Sequence, residues 1–202
     1  MKLKMLNGSH SLIAYLGALA GFKTVDTAIS NPVIYKLIKY YMLKVAAPYV
    51  YDLPKSISLD DYAEQLLKRF ANPSLKHRTE QIAMDGSKKI PQRWLSTLSS
   101  QLRSAKPYHI IALGLAAWIL YGQGKDEKNQ PLDVSDPLET QFAEIHAKYG
   151  QAHQLVEHYF NLSEVFPKAL ANDQNVKASI AHFINRLKAD GVLKTIETLN
   201  LE

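Results

Sequence analysis

Apolar residues recur at helical spacing along almost the whole of this 202-residue chain, and helix start and stop signals fall where that spacing needs them. The segment Gly8 to Gly21 encloses Leu12, Ala14, Tyr15, Leu16, Ala18 and Leu19, with Gly21 suited to a left-handed C-terminal cap. Asn31-Pro32 places a capping side chain before a proline at the first helical position, and Val33, Ile34, Leu37, Ile38, Tyr41, Met42 and Val45 then follow up to Pro48. Ser58 with Asp61 resembles a capping box ahead of Leu59, Tyr62, Leu66, Leu67 and Phe70, and Asn72-Pro73 repeats the cap-plus-proline start. Helices are also expected over Gln92 to Arg103, Tyr108 to Tyr121 and Asp136-Pro137 to Gly150. Amphipathic pieces follow around Leu155 to Phe160, Val165 to Leu170, Val176 to Leu187 and Val192 to Leu199, broken at Gly191. The pattern predicts an all-α, multi-helix fold. Two stretches read as loops: Asp85-Gly-Ser-Lys-Lys-Ile-Pro91, a donor-rich connector, and the polar run Gly122 to Asp136. No internal repeat or low-complexity tract appears, and residues 1–202 are expected to form a single helical domain, the loop at 122–136 being the weakest point.

Composition narrows the function classes. With 47% hydrophobic and 21% charged residues the chain has the balance of a folded globular protein, large enough to build a core without staples. It contains no cysteine, which excludes disulfides, thiolate metal sites and cysteine nucleophiles and makes the cytoplasm the expected compartment. Met1-Lys-Leu-Lys-Met lacks a signal-peptide hydrophobic region, and the longest apolar run, Ile110 to Tyr121, is about half a membrane span. A net charge of +5 comes from scattered basic residues with no stripe and no stacking platform, so neither nucleic acid nor membrane is an expected partner. The seven histidines include no HxxxH or HExxH spacing, so no metal site is expected. Gly122-Gln-Gly124 has no strand before it and no apolar helix after it; it is a turn, not a phosphate cradle.

Two constellations carry chemistry. The opening, Lys2-Leu-Lys-Met-Leu-Asn7-Gly-Ser-His10-Ser11, crowds polar groups against an apolar helix. A lysine can serve as general base, an amide can donate to a developing alkoxide, and a histidine can fix a substrate hydroxyl; together they suit alcohol–carbonyl interconversion. The plainer alternative is a helix start, with Asn7 and Ser9 capping and Lys2 solvated. In the second constellation Lys88, Lys89 and Arg93 gather with Arg78, either as a cationic turn facing a small anionic molecule or as a solvated loop.

The spacing Lys2, four residues, Asn7, two residues, His10 resembles the catalytic stretch of the mannitol dehydrogenase family of polyol-specific long-chain dehydrogenases. The run Asn72-Pro-Ser-Leu-Lys-His-Arg-Thr-Glu-Gln-Ile-Ala-Met-Asp-Gly-Ser-Lys-Lys-Ile-Pro-Gln-Arg93, then Leu113-Gly-Leu-Ala-Ala-Trp118 and Ser135-Asp-Pro-Leu138, is most similar to the branch of that family acting on sugar acids. The resemblance covers residues 2 to about 138; beyond it the chain reads as a generic helical tail. It implies the fold of the C-terminal domain of mannitol dehydrogenase-like enzymes, the 6-phosphogluconate dehydrogenase C-terminal-like arrangement. It also implies an NAD-dependent oxidoreductase, without metal, that interconverts D-mannonate and D-fructuronate in hexuronate catabolism.

By the same resemblance Lys2 is the general base, Asn7 an alkoxide-stabilising donor, His10 a hydroxyl contact and Lys89 a substrate contact. The substrate's charged end is left to Lys88, Arg78 or Arg93. Mannitol-oxidising members carry an arginine near the position of Gln81, a departure that argues against mannitol. Family members bind NAD mainly through a Rossmann domain ahead of this motif, so the chain is expected to be the substrate-side domain, incomplete alone. Its partners would be a small anionic sugar acid and either a separate Rossmann domain or a second copy. The rival expectations are a helical interaction or remnant protein that kept the fold without the chemistry, and a domain of a related polyol or hexuronate dehydrogenase.

Overall fold

The computed structural model describes residues 1–51, 54 and 57–201, and within them every regular element is helical. The chain opens on a π-helical turn, Leu3–Asn7, that runs directly into α1 (Gly8–Leu19). After Gly21, at φ +84°, come α2 (Val25–Ile29) and α3 (Pro32–Tyr40), the latter capped by Asn31 Oδ1, which accepts from the Val33 amide at 2.9 Å. A second π turn, Tyr41–Ala46, extends α3 until Pro48 closes it in a short 3₁₀ turn. Ser58 caps α4 (Leu59–Phe70) by accepting from Asp61 N–H at 3.1 Å. Thereafter run α5 (Thr79–Ala83), α6 (Gly86–Ile90), a third π turn at Pro91–Leu95, α7 (Ser96–Arg103) and α8 (His109–Tyr121). The remainder is α9 (Glu139–Lys148), α10 (Ala152–Phe160), α11 (Lys168–Ala171), α12 (Gln174–Asp190) and α13 (Val192–Glu197), with Gly191 at φ +78° as the expected break.

Three local expectations are corrected. Asn72-Pro73 does not open a helix. Asn72 Oδ1 accepts from Ser74 N–H at 3.0 Å, but the turn Pro73–Leu75 stops at Lys76, which sits in the left-handed region at φ 47°. The segment Asp85–Pro91 is not a loop: only Asp85, at φ 54°, makes the turn, and Gly86 already begins α6. The cap that allows this comes from far along the chain, since Asp136 Oδ2 accepts from Ser87 N–H at 2.8 Å while its Oδ1 accepts from Leu138 N–H at 2.9 Å. The helix expected from Asp136-Pro137 accordingly starts later, at Glu139.

The core is built around α8. A helix apolar on every face must be buried on every face, and α1 lies along one side of α8 while α12 lies along the other. Trp118 fills the centre with its ring 5.5 Å from Phe142 and 5.2 Å from Tyr159. The last fifty residues are therefore part of the same apolar cluster rather than an appendage. No helix among the described residues is long and apolar enough to cross a membrane.

Candidate active site

Register at the N-terminus decides what the first constellation can do. In a continuous α-helix Lys2 and Asn7, five residues apart, would sit about 140° apart around the axis. Here the Lys2 carbonyl accepts from both Leu6 N–H (3.1 Å) and Asn7 N–H (3.0 Å), the second bond spanning five residues. A turn closed from i to i+5 returns residue i+5 to the edge of residue i. Asn7 then lies above Lys2, and His10, three residues on in α geometry, is on the neighbouring edge. The family spacing thus becomes one line along one face. The helix-start alternative holds in part: Lys2 is exposed, but the backbone is already helical from Leu3 and the Asn7 side chain makes no cap bond.

His10 is mostly buried, its ring 4.5 Å from Phe70 and 6.2 Å from the ring of His77. Burial, and then the nearby His77, Arg93 and Arg69, hold its pKa down at about 4, so it is a neutral imidazole at neutral pH. His77 is brought there by the pairing of two connectors: its carbonyl accepts from Val25 N–H at 2.9 Å, and Thr79 N–H donates to Lys23 O at 3.0 Å.

The cations divide. Lys89 and Arg93, four residues apart across α6 and the turn after it, are charged neighbours; Arg93 reaches α1, its Nη1 donating to Ser11 Oγ at 2.7 Å, while Lys89 Nζ donates to the Ile82 carbonyl of α5 at 3.4 Å. Burial lowers the pKa of each; Arg93 lowers that of Lys89 further, while Asp85 and Asp136 act to raise it. Among the described residues neither has a carboxylate within ion-pair distance. Lys88 is exposed beside them, and Arg78 is exposed with its charge answered by Glu80 at 2.7 Å. Lys4 is also set apart: its ammonium lies 3.4 Å from Thr97 Oγ1 and 5.8 Å from the centre of the Tyr49 ring, while Lys2 is exposed. Burial lowers the Lys4 pKa.

Several participants were not singled out by sequence reasoning. Ser11 and His77 lie inside the quoted motifs, and their polarity within helical runs was the available signal; Phe70, Tyr41 and Trp94 look like ordinary core residues and gave none. Among the described residues no group of three His, Cys, Asp or Glu side chains is placed to hold a metal ion. Two cavities, of about 830 and 550 Å³, flank Gln123 to Asn129 and include none of Lys2, Asn7, His10, Lys89 or Arg93.

Comparison with known proteins identifies the family. Residues 1–188 match the family described as the mannitol dehydrogenase C-terminal domain, well beyond the motifs that end at Leu138. The chain is 39% identical to D-mannonate oxidoreductase of Escherichia coli over 199 residues, covering 98% of this chain and 40% of that protein. It is 30% identical to mannitol 2-dehydrogenase of Aspergillus fumigatus, covering 96% of this chain and 38% of that protein. The structure of Pseudomonas fluorescens mannitol 2-dehydrogenase in ternary complex with NAD and D-mannitol superposes with a TM-score of 0.91 at 27% identity, covering 98% of this chain and 39% of that one. The chain thus spans about two fifths of the length of the relatives it matches. An all-helical fold and a family match over nearly its whole length agree: this chain belongs to the mannitol dehydrogenase family, as its C-terminal domain.

Proposed function

We propose that this chain is the substrate-side domain of an NAD-dependent oxidoreductase that interconverts D-mannonate and D-fructuronate. The observation that carries the choice of a sugar acid is the pair Lys89 and Arg93, two half-buried cations with no carboxylate within ion-pair distance among the described residues, Arg93 lying near His10. A polyol offers nothing to answer those charges, whereas the carboxylate of a hexonate does. The 39% identity to a D-mannonate oxidoreductase points the same way.

Each polar group then has a task. Lys2 Nζ takes the proton from the carbinol hydroxyl and returns it in the reverse reduction. The Asn7 amide donates to the oxygen as it gains charge. His10, held neutral, can both donate to and accept from an adjacent hydroxyl, which an imidazolium could not. A nicotinamide, when bound, accepts the hydride. The described residues contain no strand and hence no strand–glycine turn–helix to seat a dinucleotide pyrophosphate. Nothing among the described residues fits the cofactor's phosphates, and we assign them to a nucleotide-binding domain paired with this one, in the same polypeptide or separate. Self-association through the face that meets such a domain is the other partner this reading supports.

The test joins this chain to the nucleotide-binding domain of a family member and follows NAD reduction with D-mannonate and D-mannitol. The expected result is a kcat/KM for D-mannonate higher by about 10- to 100-fold, the scale of one charge-assisted contact. Equal or better use of D-mannitol would overturn the assignment. By calorimetry this chain alone is expected to bind NAD negligibly, and micromolar affinity would contradict the division of labour.

A further inference from the structure

We infer that Tyr41 and Trp94 are positioning residues that keep Lys2 in register with Asn7, by holding the turn Leu3–Asn7 in its π form; the catalytic meaning of that register rests on the function proposed above. A π turn carries a built-in defect, because widening one turn leaves one carbonyl without its helical donor. The amide groups at the end of the turn, at Gly8 and just after it, bond the carbonyls of Leu3 and Met5 and so pass over that of Lys4, the partner of Gly8 in an α-helix. Tyr41 supplies the missing donor: its hydroxyl donates to Lys4 O at 3.1 Å. Trp94 Nε1–H donates at 3.2 Å to the carbonyl of Gly8, the residue where the π turn gives way to α1.

Both side chains are almost wholly buried, at 1% exposure each, so these bonds do not compete with water. Burial also pushes the Tyr41 phenol upward, which keeps its proton in place across the working pH range. The approach is so close that a Cβ on residue 8 would lie 2.1 Å from the Tyr41 hydroxyl oxygen; only glycine admits it. Tyr41 and Trp94 themselves sit in the other two π turns, Tyr41–Ala46 and Pro91–Leu95, and both of those turns pack against Leu3–Asn7. Two widened turns, an uncommon feature that recurs at functional sites, therefore brace a third, Leu3–Asn7, and one of the two runs on from the helix that bears Lys89. Without the Tyr41 hydroxyl, the relief for an orphaned Lys4 carbonyl is the ordinary α bond from Gly8. That bond rotates Lys2 away from Asn7 and His10.

The experiment compares wild type with Tyr41→Phe and Trp94→Phe. In this chain, nuclear Overhauser contacts between Lys2 Hα and the Asn7 amide report the π register. They are expected to vanish in Tyr41→Phe, with contacts to the Leu6 amide strengthened, and to weaken in Trp94→Phe. In the joined enzyme, kcat for D-mannonate should fall about 10- to 100-fold with KM within about twofold, a split that simple loss of stability would not produce below the melting transition. Survival of the Lys2–Asn7 contact in both folded variants would overturn the inference, as would its loss with kcat unchanged. An inactive wild-type joined enzyme would instead count against the proposed function, and the Overhauser contacts would still decide the role of Tyr41 and Trp94. If Tyr41→Phe fails to fold, Trp94→Phe, which keeps an aromatic ring and loses only the indole N–H and some bulk, carries the same readouts.

Discussion

Two lysines two residues apart, Lys2 and Lys4, meet different surroundings. The Lys4 ammonium is engaged by the Thr97 hydroxyl and the Tyr49 ring, while Lys2 stands on the line of Asn7 and His10. In the joined enzyme Lys2→Ala should therefore lose about 10²- to 10⁴-fold in kcat, the usual span for general acid–base catalysis, with Lys4→Ala costing far less. Near-normal turnover in Lys2→Ala would show that the motif does not carry its role here. The cations give a second contrast. Lys89→Met should raise KM for D-mannonate about 10- to 100-fold, since a charge-assisted hydrogen bond is worth roughly 1.5–3 kcal/mol. Arg78→Ala should change KM by less than about threefold, because Glu80 already answers that charge in the solvent-exposed pair. Steady-state kinetics on the two variants distinguishes them directly, and equal effects would mean that exposure and pairing are poor guides to which cation meets the substrate.

Helices whose caps are local were legible from sequence: Asn31 and Ser58 each accept from the first turn of the helix they precede. The spacing of Lys2, Asn7 and His10 was legible too, but not the π turn that makes one face of it, because Tyr41 and Trp94 act from 37 and 86 residues away. The same limit explains the corrected elements. Asn72 makes a capping bond with no amphipathic run behind it, and Lys76 at φ 47° ends the turn. Asp85 to Ile90 looks like a loop because its cap is not adjacent; Asp136, 49 residues on, accepts from Ser87 N–H. This makes Asp136 a support for the helix that presents Lys89 and leads into Arg93. Asp136→Ala removes acceptors from Ser87 and Leu138 together, and at roughly 0.5–2 kcal/mol per lost cap it should cost about 1–4 kcal/mol of stability. Chemical denaturation reads the loss, and KM for D-mannonate should rise alongside it as the first turn of α6 frays. A variant as stable as wild type would show that Asp85 caps α6 unaided.

At the scale of the whole molecule, packing around α8 places several histidines where a proton is unwelcome. His10 against Phe70, His109 at the start of α8 and His146, whose Nε2 lies 2.8 Å from the Ile119 carbonyl and 3.1 Å from the Tyr159 hydroxyl, all have pKa values lowered mainly by burial. A histidine whose folded pKa lies below its unfolded value gives up nothing above pH 6.5, where both states are neutral. As pH falls, the unfolded chain takes up a proton that the folded chain refuses, and stability drops until the folded pKa is reached. For His10 the window runs from pH 6.5 down to about 4. Near pH 5, above the range where most carboxylates titrate, His10 alone should remove about 2 kcal/mol, with His109 and His146 acting in the same direction. Urea denaturation near pH 7 and near pH 5 should show the midpoint falling in wild type and falling less in His10→Gln. A midpoint unchanged between the two pH values would mean that His10 takes up a proton in the folded protein as readily as in the unfolded chain. It would then approach the substrate as a cation, and its place in the mechanism would change from a two-way hydroxyl contact to a second positive charge beside Lys89 and Arg93.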